Sequence, residues 1–169
     1  EEWGAVLDAN QFLGNTASTD SSFGYGGAIN TNAGVVFTMT NNLVAQSDAS
    51  GAGGGLRITT YSGKQVVGTL VNNTIVDNDR GAGGEGILVG DYVTVTLTNN
   101  LIAGHTVGIT DTSVTNTVSA DTNLFWNDAD PLVGTNPIQQ DPKLTSGYRL
   151  GGGSPALDAG LNIPGLTTD

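Results

Sequence analysis

A unit led by asparagine recurs along this chain and restricts the folds that it can adopt. Each copy is a polar pair followed by apolar residues, as in Asn-Asn-Leu-Ile-Ala at 99–103. A second mark, which contains a glycine and ends in Ile or Leu, recurs at residues 27–29, 54–56, 85–87 and 107–109. Self-similarity at such a period is typical of a stacked repeat. The copies begin at intervals of 31, 31, 27 and 23 residues, at Asn10, Asn41, Asn72, Asn99 and Thr122.

The residues of each copy predict short parallel strands. Residues 35–40 alternate, with Phe37 and Met39 facing inward and Thr38 and Thr40 facing outward. The segments between strands leave no room for a crossover helix, so the strands must stack coil upon coil, about 4.8 Å apart. We expect an all-β, right-handed parallel β-helix of about five coils. The coils would occupy residues 1–127, and an irregular cap of the same domain would occupy residues 128–169, which hold all five prolines.

Equivalent side chains of successive coils should stack into columns. We expect an apolar column of Val44, Ile75, Ile102 and Phe125 inside the rod. The asparagines of the repeated pairs should form a second column that exchanges amide hydrogen bonds. The first copy aligns poorly, because the alignment places Asp8 where a later copy has Met39. The expected structural ladder consists of Asn10, Asn41, Asn42, Asn72, Asn73, Asn99, Asn100 and Asn123.

Charge and composition exclude several classes of partner. The net charge is −11 with only five Lys and Arg residues, which disfavours nucleic acid and anionic membranes as partners. No apolar run approaches the roughly 20 residues that cross a bilayer, so membrane insertion is not expected. The chain has no cysteine, and its composition is similar to that of secreted proteins. We expect an extracellular or cell-surface location, with the chain being a mature form or a fragment of a larger protein.

The marks also carry a resemblance to known proteins. The asparagine and glycine units resemble the repeats of right-handed parallel β-helices in the pectate-lyase-like superfamily. The segments Asp-Pro-Lys-Leu at 141–144, Gly-Tyr-Arg-Leu at 147–150 and Ser-Pro-Ala-Leu-Asp-Ala-Gly at 154–160 resemble the closing part of bacterial cell-surface β-helix proteins. This resemblance implies the β-helix fold and a surface context. That fold hosts lyases, hydrolases, adhesins and passive stalks, so it does not select one activity.

Two functions remain open from the sequence. The first is a non-catalytic structural or adhesive segment of a surface protein, which binds glycans or a cell-surface partner, or self-associates head to tail through unpaired strand edges. The second is a lyase or hydrolase of acidic polysaccharides. The resemblance implies Arg or Lys as the base of a lyase, whereas inverting hydrolysis needs two carboxyls roughly 6.5–9.5 Å apart. The candidate catalytic residues are Asp48, Asp77, Asp79 and Arg80.

Loop residues supply the remaining candidates for binding. Asp77 and Asp79 could form a loose calcium site, and the plainer interpretation is a pair of solvated loop acids; no other cofactor is expected. Trp126, Tyr61 and Tyr92 lie in or near loops, where aromatic rings can stack on sugars, although Trp126 could instead pack under the cap. His105 falls on the same face as Asp48 one coil on. We interpret His105 as a polar edge residue rather than a base, and we include it among the candidate glycan contacts.

Overall fold

The computed structural model describes residues 3–18, 20, 23–32, 34–61, 63–78, 84–129, 132 and 134–166. All named elements are strands, and they form three parallel sheets. Sheet A contains β1 (Trp3–Asp8), β4 (Val35–Thr40), β7 (Val66–Val71), β10 (Val93–Thr98) and β13 (Thr117–Asp121). Sheet B contains β2 (Gln11–Leu13), β5 (Leu43–Ala45), β8 (Thr74–Val76), β11 (Leu101–Ala103) and β14 (Leu124–Trp126). Sheet C contains β3 (Ile29–Asn30), β6 (Leu56–Ile58), β9 (Glu85–Val89) and β12 (Val107–Asp111).

The chain visits the sheets in the fixed order A, B, C. Every strand therefore pairs in parallel with the equivalent strand of the next coil, for example β4 with β7 and β5 with β8. Four coils supply a strand to each sheet, and the segment β13–β14 supplies a strand to sheets A and B. The predicted all-β parallel β-helix is confirmed, but among the described residues the complete coils are fewer than the five predicted. Among the described residues there is no helix long and apolar enough to cross a membrane.

The core fills the space between the three sheets. Sheet A contributes Phe37 and Met39 to it, while the threonines between and beyond them face outward, as the alternation predicts. Each fully buried aliphatic side chain of this size contributes roughly 1.5–3 kcal/mol. The predicted inward column of sheet B is also present, and its members are no more than 3% exposed: Val44, Ile75, Ile102 and Phe125.

The first coil follows the common pattern more closely than its sequence indicates. Leu7, and not Asp8, pairs with Met39, while Asp8 pairs with Thr40 on the outer face. The predicted alignment of this coil is therefore wrong by one residue. Because strand side chains alternate with a period of two, that slip exchanges the inner and outer faces.

Residues after β14 form a tail that covers one end and one side of the rod. Thr135 and Ile138 make single bridges to Asp121 and Leu124, so the tail occupies the free edge of the last coil. The tail then turns back over the outer face of sheet B, where Ile138, Leu144, Tyr148 and Ala156 pack on a second apolar cluster. This return brings irregular segments beside regular strands, and it creates the groove described below.

Candidate ligand-binding groove

The corner between sheets A and B, here called the first corner, holds a continuous column of asparagines. Each Asn Oδ1 accepts both the backbone N–H and an Nδ2 proton of the preceding column member, at 2.8–3.2 Å. From Asn42 on, the other Nδ2 proton goes to a carbonyl of the coil behind, as from Asn73 to Met39 at 2.9 Å. Buried amides are thereby satisfied. The members of this asparagine column are Asn10, Asn42, Asn73, Asn100 and Asn123.

The residue before each column member has a different role from the one predicted. Asn41, Asn72 and Asn99 do not enter the column; they adopt φ of 55–57° at the bend itself. Asparagine tolerates this left-handed conformation better than most residues. Ala9 and Thr122 occupy the same position in the first and last copies. Asn10 thus corresponds to Asn42 rather than Asn41, which corrects the predicted first interval to 32 residues.

A second interior polar column lies at the corner that follows sheet B, here called the second corner. Here Asn78 Oδ1 accepts the backbone N–H of Ser47 at 2.9 Å, and Asn78 Nδ2 donates to the Val44 carbonyl at 3.0 Å. The backbone N–H of His105 donates to Asp128 Oδ1 at 2.7 Å. The plan repeats that of the asparagine column with different side chains. We call this the mixed column; its members are Ser47, Asn78, His105 and Asp128.

His105 is buried in this column, and the prediction that it is an edge residue exposed to glycans is wrong. Its ring and the Asp128 carboxylate are 0% and 1% exposed, with Nδ1 at 3.1 Å from Asp128 Oδ1. Nε2 lies 3.4 Å from Asn78 Nδ2. The tautomer with its proton on Nδ1 satisfies both contacts, because Nε2 can then accept from the amide. Asp128 Oδ2 is buried and has no hydrogen-bond partner among the described residues.

The glycine mark of the sequence has its explanation here. A Cβ on Gly86 of sheet C would stand 2.9 Å from the Gly108 carbonyl oxygen of the next coil and 2.9 Å from His105 Cε1. One coil earlier, a Cβ on Gly55 would lie 2.4 Å from the Gly86 carbonyl oxygen and 3.3 Å from Asn78 Nδ2. Both the close stacking of the coils at these glycines and the mixed column beside them therefore favour a residue without a Cβ.

An open groove lies between the outer face of sheet B and the returning tail. Its volume is about 470 Å³. The floor is formed by small and apolar residues of sheet B and its second corner, among them Val76, Ala103 and Gly104. The opposite wall is formed by residues of the tail between 141 and 148. The lining includes two carboxylates and two aromatic rings, which belong to Asp77, Asp141, Trp126 and Tyr148.

Two of the predicted candidates meet in this groove. Asp77 occupies the second corner with φ 53°, and Tyr148 Oη donates to its Oδ2 at 3.5 Å. Trp126 ends β14 and is 44% exposed, so it does not pack fully under the tail. Ala45, Val76 and Ala103 precede it in the same outward column of sheet B. Trp126 thus lines the groove as a half-exposed aromatic side chain.

The other candidates lie elsewhere. Asp48 follows the second corner and does not line the groove; its Oδ1 is buried without a partner among the described residues. Tyr61 is exposed and stacks on Arg57, whose guanidinium carbon lies 5.1 Å from its ring centre. Tyr92 is half exposed at the start of β10. Asp79 and Arg80 lie outside the described residues.

Sequence reasoning missed the two groove residues that belong to the tail. Asp141 Oδ1 accepts the backbone N–H of Lys143 at 2.8 Å, and its carboxylate is exposed. Tyr148 lies 71 residues from Asp77 in the chain. No repeat spacing marks either position, so the sequence holds no signal for their approach. Within the described part of the chain, no group of three or more acidic or histidine side chains is arranged to hold a metal ion.

The geometry has to be interpreted without a relative. Comparison of the chain with protein-family models, with curated proteins and with solved structures finds no significant match.

Proposed function

We propose that this chain is a glycan-binding, non-catalytic β-helix segment of an extracellular surface protein. The observation that carries the proposal is the groove that half-exposed Trp126 lines together with Asp77, Asp141 and Tyr148. Exposed aromatic rings provide flat apolar area, and carboxylates accept hydrogen bonds from hydroxyl groups. That pairing suits a sugar ring, which has an apolar face and a polar rim.

The surface context rests on the sequence resemblance. The closing segments at 141–144 and 154–160 resemble those of bacterial cell-surface β-helix proteins, and the repeat units resemble the pectate-lyase-like superfamily. The first of these segments also contributes Asp141, Pro142 and Leu144 to one wall of the groove. An adhesive role unites both points, since a rigid rod can hold a binding groove at a fixed position.

Head-to-tail self-association receives less support from the geometry. Thr135 and Ile138 of the tail already occupy the edge of the last coil, where a second copy would have to pair. Stacking at that end would require the tail to leave. The edge of β1 has no strand partner among the described residues, and it remains the more accessible end.

Glycan binding is tested by titrating a panel of oligosaccharides into the protein and its variants. We expect Trp126→Ala to weaken binding by about fivefold or more, because a stacked ring contributes about 1 kcal/mol or more. Tyr92→Ala is the matched control, since Tyr92 is an exposed aromatic residue outside the groove. Absence of binding to every sugar, or equal binding by the Trp126→Ala variant, would refute the proposal.

Hydrolysis is the second candidate, because Asp77 and Asp141 bring two carboxylates into one groove. A glycoside hydrolase requires such a pair. Release of reducing ends or of unsaturated product by the wild type, lost in both Asp77→Asn and Asp141→Asn, would establish catalysis. Repeating the assay with calcium and with a chelator tests the predicted dependence on Asp77 and Asp79. Binding of a sugar without turnover would exclude hydrolysis of that sugar and support glycan recognition.

A further inference from the structure

The charge of the groove is one-sided. Its described lining contains two carboxylates, Asp77 and Asp141, and no Lys, Arg or His side chain. Lys143 follows Asp141 by two residues, but its Nζ lies beside Gly153, which does not line the groove. The whole chain carries a net charge of −11, which repels polyanions at long range. The groove is therefore poorly suited to a glycan that carries carboxylates or sulfates.

The Asp77 carboxylate has spare hydrogen-bonding capacity on its groove side. Oδ2 receives one long hydrogen bond from Tyr148, and Oδ1 accepts none from a described residue. Oδ1 lies directly beside Gly104, which adopts φ +76°, and a Cβ at that position would collide with the carboxylate. Gly104 thus leaves the floor free of a side chain next to Asp77 Oδ1, which accepts no hydrogen bond from the described residues.

Asp141 supplies a second acceptor from the opposite wall. One of its oxygens caps the turn at Lys143, and the carboxylate remains exposed to the groove. Trp126 completes the set at the end of the sheet B column. An ammonium group can form charge-assisted hydrogen bonds with carboxylates and is also attracted to the face of an indole ring. A neutral sugar gains only the weaker hydroxyl contacts.

The geometry points to a cationic amino-sugar oligomer as the ligand of this groove. Its sugar ring stacks on Trp126, and its ammonium groups contact Asp77 and Asp141. This inference rests on the proposed glycan-binding function and specifies the class of glycan. It also separates this groove from any site built for acidic polysaccharides, in which basic side chains or bound cations would have to face the ligand.

Three oligosaccharides of similar length but different charge test the inference. They are a β-1,4-linked glucosamine tetramer, its fully N-acetylated form and a galacturonate tetramer, each titrated calorimetrically into the full chain below pH 6. We expect the glucosamine tetramer to bind at least about tenfold more tightly than the N-acetylated form, as charge-assisted hydrogen bonds are stronger than neutral ones. Its affinity should fall in about 0.5 M salt, where charges are screened within a few ångströms. The galacturonate tetramer should bind most weakly.

The double variant Asp77→Asn, Asp141→Asn should remove the preference for the cationic tetramer while keeping weak binding of the N-acetylated one. Both substitutions preserve shape at exposed positions, and circular dichroism checks that the fold is intact. Equal or tighter binding of the N-acetylated tetramer by the wild type would overturn the inference and leave the proposed function standing. Failure of all three sugars to bind would overturn the inference, and the oligosaccharide panel described above then decides whether the proposed glycan binding stands. Tightest binding of the galacturonate tetramer would likewise overturn the inference.

Discussion

The two corners of each coil share one hydrogen-bonding plan but differ in how uniform their residues are. At the first corner every column member from Asn42 to Asn123 is an asparagine. At the second corner the equivalent members are serine, asparagine, histidine and aspartate. The first corner leads directly into a three-residue strand in every coil, whereas the second precedes segments of different length before sheet C. Where the segment after the corner is the same in every coil, the same corner residue fits every coil. Where the following segments differ in length, different corner residues are accommodated.

The difference shows where this rod can carry specific chemistry. The buried His105–Asp128 pair belongs to the second corner, and so do the groove residues Asp77, Gly104 and Asn127. At the first corner, each side-chain amide between the two ends of the column donates hydrogen bonds to the coil before it and to the coil after it, and these bonds keep adjacent coils in register. Three substitutions, in decreasing order of expected effect, test this division.

Removing one member of the asparagine column should have the largest effect. Asn100→Ala deprives the Asn73 backbone N–H and Nδ2 of their acceptor, and the Leu70 carbonyl of a donor. At about 1–3 kcal/mol for each buried group left without a partner, we expect a loss of about 3 kcal/mol or more in the free energy of unfolding. Urea denaturation followed by circular dichroism measures it.

Asn72→Gly is the matched control at the same corner. Asn72 lies outside the column at φ 55°, a conformation that glycine adopts without strain, so the change should stay within about 0.5 kcal/mol. A similar loss for both variants would show that the bend, and not the column, stabilises this corner.

At the second corner, Gly86→Ala should have an intermediate effect. The new Cβ would press on the His105 ring and on the Gly108 carbonyl oxygen, each at 2.9 Å, and overpacking of this kind costs about 1–3 kcal/mol. His105→Ser introduces the residue that coil two carries at the equivalent position and removes the ring. The double variant should therefore lose less stability than the two single losses together, and a double-mutant cycle measures the difference.

Gly152→Ala is the control for added bulk, because no atom lies within 4 Å of the new Cβ position. We expect a change within about 0.5 kcal/mol. Strict additivity of Gly86→Ala and His105→Ser would contradict the idea that the glycine mark exists to accommodate the mixed column.

The smallest expected effect is a loss of stability at acid pH, at the contact that attaches the tail to the last coil. Hydrogen bonds from Asn136 and then Thr122 lower the pKa of Asp121, because both favour the carboxylate over the acid. A lowered pKa in the folded state means that the stabilisation is complete above the ordinary aspartate pKa of about 4 and is lost as the pH falls through the lowered value. Wild type should thus exceed Asp121→Asn in stability at pH 7, and the difference should shrink towards pH 3. A constant difference across this range would exclude the carboxylate as its origin.

The sequence contains enough information for most of the rod and little for the groove. Asn42, Asn73 and Asn100 follow a regular pattern, so the coil and its inward column could be predicted. Asn10-Gln11 imitates the start of an Asn-Asn pair, and since alanine is uncommon at the left-handed bend, Ala9 did not reveal the correct register. The mixed column had a usable signal, because its members follow Asn42, Asn73, Asn100 and Asn123 by a constant five residues. The approach of Asp141 and Tyr148 to Asp77 depends on the docking of an aperiodic tail, which no spacing encodes.

The return of the tail also has a kinetic consequence. Hydrogen bonds between coils join residues 23–35 apart, whereas the paired hydrogen bonds of Asn99 with Leu161 span 62 residues and the Tyr148–Asp77 contact spans 71. Contacts between distant residues form slowly, and partly exposed segments open more readily than a packed core. We therefore expect the groove to be the last part of the molecule to assemble and the first to exchange its amide protons. A ligand that bridges Trp126 and Asp141 would slow that exchange. The exchange rate of amide protons in the tail would then measure how much of the groove is occupied by ligand, while exchange in the coils would stay unchanged.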